Sequence, residues 1–265
     1  MPNINQQLFQ LIMEVDPEAK RCGVQALTFS NAELEAASDD QPPQPIAQPG
    51  YPSALALVAP RDLPRRGIQA QTGRNILMHS IAHIEYNAIH LALDAAYRFR
   101  QQAVEFYQDW LFVARDEARH FGLVNDYLKQ NDCEYGAYPA HNGLWSMTVQ
   151  TAHDVLDRMA LVPRVLEARG LDVSPAMIKR LDSVGDTQAA DILRIIYQDE
   201  IEHVRIGSKW FNYHCEQRGI APRIAFQNLI KQHFHGVVRG PFNIAARLQA
   251  GFDQQELDDL INNSK

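Results

Sequence analysis

Apolar positions along the chain recur at helical spacing and almost never alternate strictly. The run RNILMHSIAHIEYNAIHLALDAAYRF (74–99) contains no Pro or Gly and repeats apolar residues at Ile81, Ile84, Ala88, Leu91 and Ala95. That period lays one apolar stripe along a helix. Three further long runs have the same character. They are QAVEFYQDWLFVARDEARHFGLVNDYLKQ (102–130), GLWSMTVQTAHDVLDRMALVPRVLEAR (143–169) and TQAADILRIIYQDEIEHVRIGSKWFNYHCEQRG (187–219). Pro163 is placed to kink the third, and a glycine closes the fourth. Shorter helical patterns occur in NQQLFQLIMEV and NAELEAAS, within residues 4–37, the second with Asn31 as its N-cap and Glu33 in the first turn. PAMIKRLDSV, after RGLDVS, and PRIAFQNLIKQHF, with a proline near its first position, add two more. Five prolines fall between Asp39 and Ser53, and RDLPRRG (61–67) follows. Prolines at that density fit neither a helix nor a central strand, so an extended arm running over the surface is expected.

Strand signals are nearly missing, which makes the expected fold class all-α, with four long helices at its centre. Three stretches are expected to make one compact domain. Residues 1–73 supply N-terminal helices and the Pro-rich arm, 74–219 a four-helix bundle, and 220–265 a C-terminal helical extension. The net charge of −7 argues against a general nucleic-acid binder, which needs a basic face. Cys22, Cys133 and Cys215 are widely spaced and odd in number, giving no zinc-ribbon or disulfide pattern. The N-terminus lacks the basic start and apolar run of a secretory signal, and no stretch approaches a bilayer span. A cytoplasmic protein without membrane contact is the expectation.

One frame occurs twice. DEARH is residues 116–120 and DEIEH is 199–203. On a helix, positions i and i+3 share a face, so Glu117 projects with His120 and Glu200 with His203. Each pair sits mid-helix among apolar neighbours. If those faces point inward, the charges need partners or a metal. Ferritin-like dinuclear carboxylate bundles distribute their donors in this way. Two helices each give a Glu-x-x-His and the other two each give one Glu. The missing carboxylates fall at Glu85 and Glu167, 32 residues before Glu117 and 33 before Glu200. Such near equality is what two copies of one helical hairpin produce. Four carboxylates and two imidazoles, without thiolate, suit two iron ions, and manganese or a mixed pair equally well. Asp116 and Asp199 precede the motif glutamates and are placed to hold the ligating histidines from behind, Asp116 serving His203 and Asp199 serving His120. Arg119 can bridge these carboxylates or sit on the surface.

DEARH resembles the Asp-Glu-x-Arg-His motif of bacterial multicomponent monooxygenases and ribonucleotide reductase small subunits. Glu85, DEARH, Glu167 and DEIEH together resemble the ferritin-like di-iron superfamily over residues 74–215. HIEYNAIHLALD, RMALVPRVLEARGLDVSP, DEIEHVRIG and GPFNIAARLQAGF resemble a bacterial ferritin-like family recorded mainly as a domain of unknown function. Similarity to the di-iron tRNA hydroxylases is more distant and includes a Glu-Ala-Arg on the third helix. The superfamily resemblance implies O2 or peroxide activation at two irons. The narrower one implies no established substrate.

The third helix leaves two candidates. Gly170 and Pro175 suggest a helix that stops early, and a simple hairpin would then place the facing carboxylate near Asp157. The matched spacing and the Glu-Ala-Arg resemblance favour Glu167. In that case PAMIKRLDSV should continue the line of the helix after a break. His83 lies about 200° around the helix from Glu85 and does not join the site. His79 lies one turn before His83, at i and i+4, and His90, His214, His233 and His235 read as surface or hydrogen-bonded residues. Tyr197, one turn before Glu200, is either a packed core tyrosine or a residue facing the metals that donates a hydrogen bond or carries an oxidising equivalent. Trp110, Phe112, Trp210 and Phe211 read as core or interface. Arg239 and Arg247 sit in a tail (239–252) that reads as a cap on the bundle. It could also meet an anionic substrate.

The function expected is an O2-activating oxidase or hydroxylase for a small organic substrate. Its electron donor must be external, because no dinucleotide fingerprint or iron–sulfur cysteine cluster occurs. An iron-binding or peroxide-scavenging protein of the ferritin or rubrerythrin type is the alternative. Against it stand the long arm, the C-terminal extension and the lack of a four-cysteine module. A tRNA-modifying hydroxylase is a further variant, which the acidic charge disfavours. A homodimer is compatible with all three.

Overall fold

The longest helices pair as hairpins, and each hairpin organises one compact unit. The units are Met1–Val149 and Gln150–Lys265 in this computed structural model, which describes residues 3–36, 42–64 and 67–264. The fold is all-α. Among the described residues the β-structure is one isolated parallel bridge, Leu57 to Ala140.

In the first unit, α1 (Ile4–Met13), α2 (Pro17–Gln25) and α3 (Asn31–Ala36) precede the hairpin of α4 (Gln71–Arg98) and α5 (Val104–Gln130), and α6 (Gly143–Gln150) follows. α1 starts with a capping box between Asn3 and Gln6. Asp16 caps α2, accepting from Ala19 N at 2.7 Å, with Pro17 in the first turn. The cap of α3 is Ser30 and not Asn31. Ser30 Oγ accepts from Glu33 N, and Glu33 Oε2 accepts from Ser30 N at 2.8 Å. The rest of NAELEAAS, with residues 37–41 and 65–66 of the arm, lies outside the described residues.

The arm is partly a buried strap, contrary to the expected surface path. Gly50 donates its N–H to Ile12 O at 2.9 Å. A Cβ there would come within 2.2 Å of Glu14 O, so only glycine fits. Lys20, fully buried, donates from Nζ to Ile12 O (3.2 Å) and Gly50 O (2.9 Å), contacts His90 Nε2 and lies 4.5 Å over the Tyr86 ring. One amine thereby ties α1, the arm and α4 together.

α4 is buried on nearly every side, so its polar side chains must find partners inside. His79 Nε2 accepts from Gly136 N at 2.8 Å. His83 meets Tyr135 Oη and His141 O, and Asp94 pairs with Arg98. Burial, with a smaller contribution from the charge of His83, lowers the His79 pKa to about 4. The unfolded chain therefore takes up a proton here that the folded chain does not. Stability from this group is complete above about pH 6.5 and is lost as pH falls toward 4, on the order of 3 kcal/mol in all. Urea unfolding at stepped pH should show that slope, and His79→Gln should reduce it, leaving the part owed to buried His83 and His90, whose pKa values burial also lowers.

In the second unit, α7 (Val155–Leu161) passes into a π-helical segment, Val162–Glu167, and then into α8 (Ala168–Ser183). α9 (Thr187–Gln217) runs back against α8, and α10 (Pro222–Phe234), α11 (Ile244–Gln249) and α12 (Gln254–Asn263) follow. The expected single run 143–169 is two helices, because Asp154 caps a new one, accepting from Leu156 N at 2.7 Å. Pro163 lacks an N–H, and the wider π turn absorbs the lost bond. α9 approaches this proline closely. A Cβ on Gly207 would lie 2.3 Å from Pro163 Cβ. Gly207→Ala should cost about 1–3 kcal/mol in denaturant unfolding, the penalty of overpacking.

The expected break before PAMIKRLDSV does not occur. α8 continues through Gly170 and Pro175. Pro175 cannot donate to Leu171 O, and Asn243 Nδ2 replaces it at 3.2 Å. The C-terminal segment binds the same face of α8. Arg247, buried, forks onto Asp172 at 2.9 and 2.8 Å, and Asn243 N donates to Asp172 Oδ1 at 2.9 Å. Arg247 is thus a structural cap.

Candidate metal centre

The turn between α4 and α5 sets the first cluster. Glu85 and Glu117 lie at equal distances in sequence from that turn, so the antiparallel helices bring them level. The helical i, i+3 relation adds His120. All three are buried, Glu117 and His120 completely. His120 Nδ1 stands 3.3 Å from Glu85 Oε2 and 3.3 Å from Glu117 Oε2. Glu85 and Glu117 offer oxygens within 4.8 Å of each other. The contact of Glu85 Oε2 with His120 lacks hydrogen-bond geometry.

Burial raises the Glu85 pKa to about 7, with His120 opposing and the charge of Glu117 adding to the rise. Burial also opposes charge on His120, but the Glu117 and Glu85 carboxylates outweigh it and raise its pKa. Two buried carboxylates therefore demand a cation between them. A proton on His120 meets part of that demand, and a divalent ion on the same oxygens and nitrogen meets it better. Two carboxylates and an imidazole, without thiolate, fit iron or manganese.

The other edge of His120 has its own partners. Nε2 lies 3.3 Å from Arg119 Nη2, and Arg119 donates to Asp116 Oδ1 at 3.0 and 2.6 Å. Asp116 also offers an atom within 4.8 Å of a His120 nitrogen. Nδ1 thus faces the carboxylates, and Nε2 faces an ion pair that fixes the ring. The sequence assigned Asp116 to the other motif's histidine. Within its unit its placed partner is Arg119.

In the second unit α9 presents Glu200 and His203, both buried, with Oε2 and Nδ1 3.9 Å apart. Asp199 is half-buried. Glu167 ends the π segment, half-buried, with Oε2 inside. The continuous α8 removes the premise that favoured Asp157, a helix ending at Gly170. Counted from the turn before Thr187, Glu167 is level with Glu200 to within about one helical turn, and Asp157 lies much farther off. Asp157 instead meets His153 at 3.3 Å. Tyr197 Oη accepts from Asn243 Nδ2 at 3.0 Å. His79, His83 and His90 have their partners in the first unit. Trp110, Trp210 and Phe211 are core, whereas Phe112 is 45% exposed. Asp172 has no signal in the sequence beyond being an acid two residues after Gly170 in RGLDVS.

The described residues therefore form an all-helical protein whose buried acidic and imidazole groups could hold metal. Among them no helix is long and apolar enough to cross a membrane. The chain belongs to the family described as "Protein of unknown function (DUF455)", which matches residues 13–258. It is also 46% identical over 215 residues to an uncharacterized protein of Haemophilus influenzae, covering 78% of this chain and 75% of that one. No solved structure matches the chain.

Proposed function

We propose that the two clusters act together as one dinuclear metal centre in a ferritin-like four-helix arrangement. Glu85, Glu117 and His120 supply one half, and Glu167, Glu200 and His203 the other. Iron is the first-choice metal, with manganese or a mixed pair accepted by the same donors. The loaded protein is an oxidoreductase that uses O2 or peroxide to oxidise a small organic substrate, with electrons from an external donor. One observation carries this reading. Each unit buries a mid-helix Glu-x-x-His beside a helix that brings a further Glu level with it.

The chain's own contributions follow from the geometry. The buried carboxylates favour cations and exclude anions from the site. Arg119 and Asp116 hold the ring of His120 so that Nδ1 keeps facing Glu85 and Glu117. Asp199 has the corresponding place before Glu200. Tyr197 Oη, fixed by Asn243, keeps its own proton available for donation toward the Glu200 face of α9. When bound, two redox-active ions would exchange electrons with O2 or peroxide and balance the four carboxylates.

The test is metal content per chain on protein made in iron-supplemented medium, with optical spectra before and after O2 reaches the reduced form. About two irons per chain and a new visible band are expected. Fewer than one bound transition metal per chain would refute a dinuclear centre. Iron uptake far beyond two per chain would indicate storage instead.

A further inference from the structure

A cavity lies wholly in the C-terminal unit, and none of the residues assigned to metal lines it. It occupies about 490 Å³ between α10 and α12, with residues 235–238 at one end, a size typical of small-molecule sites. Its apolar lining is Phe226, Ile230, Val238 and Leu260, three of them buried in the core.

The charges around it do not cancel evenly. Asp259 is neutralised by Arg223, whose guanidinium forks onto it at 2.6 and 2.8 Å. Glu256 is neutralised by Arg164 at 2.7 Å. Arg164 is completely buried and stacks within 4.5 Å of Phe211, Phe226 and Phe252. The Glu256 end of that wall is therefore built into the core, and the Arg223–Asp259 pair lies nearer the surface. The side chains of Lys231 and His235 have no ion pair or hydrogen bond among the described residues, and both line the cavity. His235 also holds a left-handed backbone, φ 53° and ψ 28°, at the end of α10. Glycine would take that conformation without strain, and histidine instead places an imidazole at the opening. The acids are matched, the Lys231 ammonium is spare, and the His235 imidazole is open to a hydrogen bond.

We propose that this cavity binds a small organic anion, its apolar body on Phe226, Ile230 and Leu260 and its carboxylate or phosphate at Lys231 and His235. Cationic ligands are disfavoured, because neither acid has charge left to offer. The site also touches the metal half-site in sequence. Arg164, gripped by the cavity residues Glu256 and Phe226, belongs to the π segment that ends at Glu167.

Full-length, isotope-labelled protein should be titrated with hexanoate, hexyl phosphate and hexylammonium, and followed by chemical-shift changes. Saturable binding of one or both anions, with shifts at α10 and α12, is expected, and the stronger anion identifies the head group. Lys231→Glu, an exposed position, should weaken that anion at least tenfold. His235→Gly, which relieves the backbone, should weaken it without loss of folded signal. The proposal is overturned if neither anion saturates, if hexylammonium binds as well as the anions, or if Lys231→Glu leaves affinity unchanged. The readout does not depend on metal, so its outcome is independent of the dinuclear reading.

Discussion

Glu117→Ala and Glu200→Ala should each reduce bound metal from about two ions per chain to less than one. Every buried donor counts in such a site, because lost coordination cannot be replaced by water in a closed core. Glu117 is completely buried, and its Oε2 shares His120 Nδ1 with Glu85. Removing it leaves one carboxylate and one imidazole in that unit, too few to hold a divalent ion against dilution. Elemental analysis after exhaustive dialysis measures the effect, and Glu117→Gln separates lost charge from lost packing. The same assay decides the third helix. Glu167→Ala should release metal and Asp157→Ala should not. Unchanged metal in both Glu117→Ala and Glu200→Ala would mean that the repeated frame is not the site.

The second large effect concerns stability. Arg247→Ala removes the buried guanidinium fork from Asp172 and leaves its buried carboxylate with only the Asn243 N–H at 2.9 Å and the half-exposed Arg169 at 3.7 Å. Breaking a buried pair in this way costs about 3–5 kcal/mol. For a chain of this size that corresponds to a fall in melting temperature of roughly 10 °C. The double variant Arg247→Leu with Asp172→Leu should recover much of the loss, since no charge is left alone. A scan showing no shift for the single variant would place Arg247 at the surface instead.

The helices were legible where burial follows a simple period. α5 and α9 carry clear apolar stripes, and their Glu-x-x-His pairs could be placed because i, i+3 geometry is local. α2 was missed although Asp16 and Pro17 mark its start, because its apolar content is low and its inward face includes Lys20. The continuity of α8 was hidden for another reason. Gly170 and Pro175 are helix breakers locally, and the side chain that compensates for Pro175 is supplied by Asn243, far along the chain. The choice between Glu167 and Asp157 was open for the same reason, because Gly170 and Pro175 suggested a helix that stops early, whereas α8 runs on to Ser183. The arm followed its proline content in backbone shape. Its burial depended on Lys20 and Tyr51, which no local pattern reveals. Tyr51 Oη reaches Asn87 Oδ1 at 2.6 Å.

The bond from Asn243 to Leu171 O has a consequence for biosynthesis. As the chain leaves the ribosome, α8 emerges with a proline that opens its backbone ladder, and the donor that closes the gap is still untranslated. α8 and α9 can associate early through their apolar faces, but the carbonyl at Leu171 and the charge on Asp172 wait for residues 243–247. A nascent chain arrested before Asn243 should therefore remain sensitive to protease near Pro175, and one long enough to expose Arg247 should become resistant. Residues 243–247 complete a helix begun well before them, so the closure of α8 is expected to wait for their synthesis.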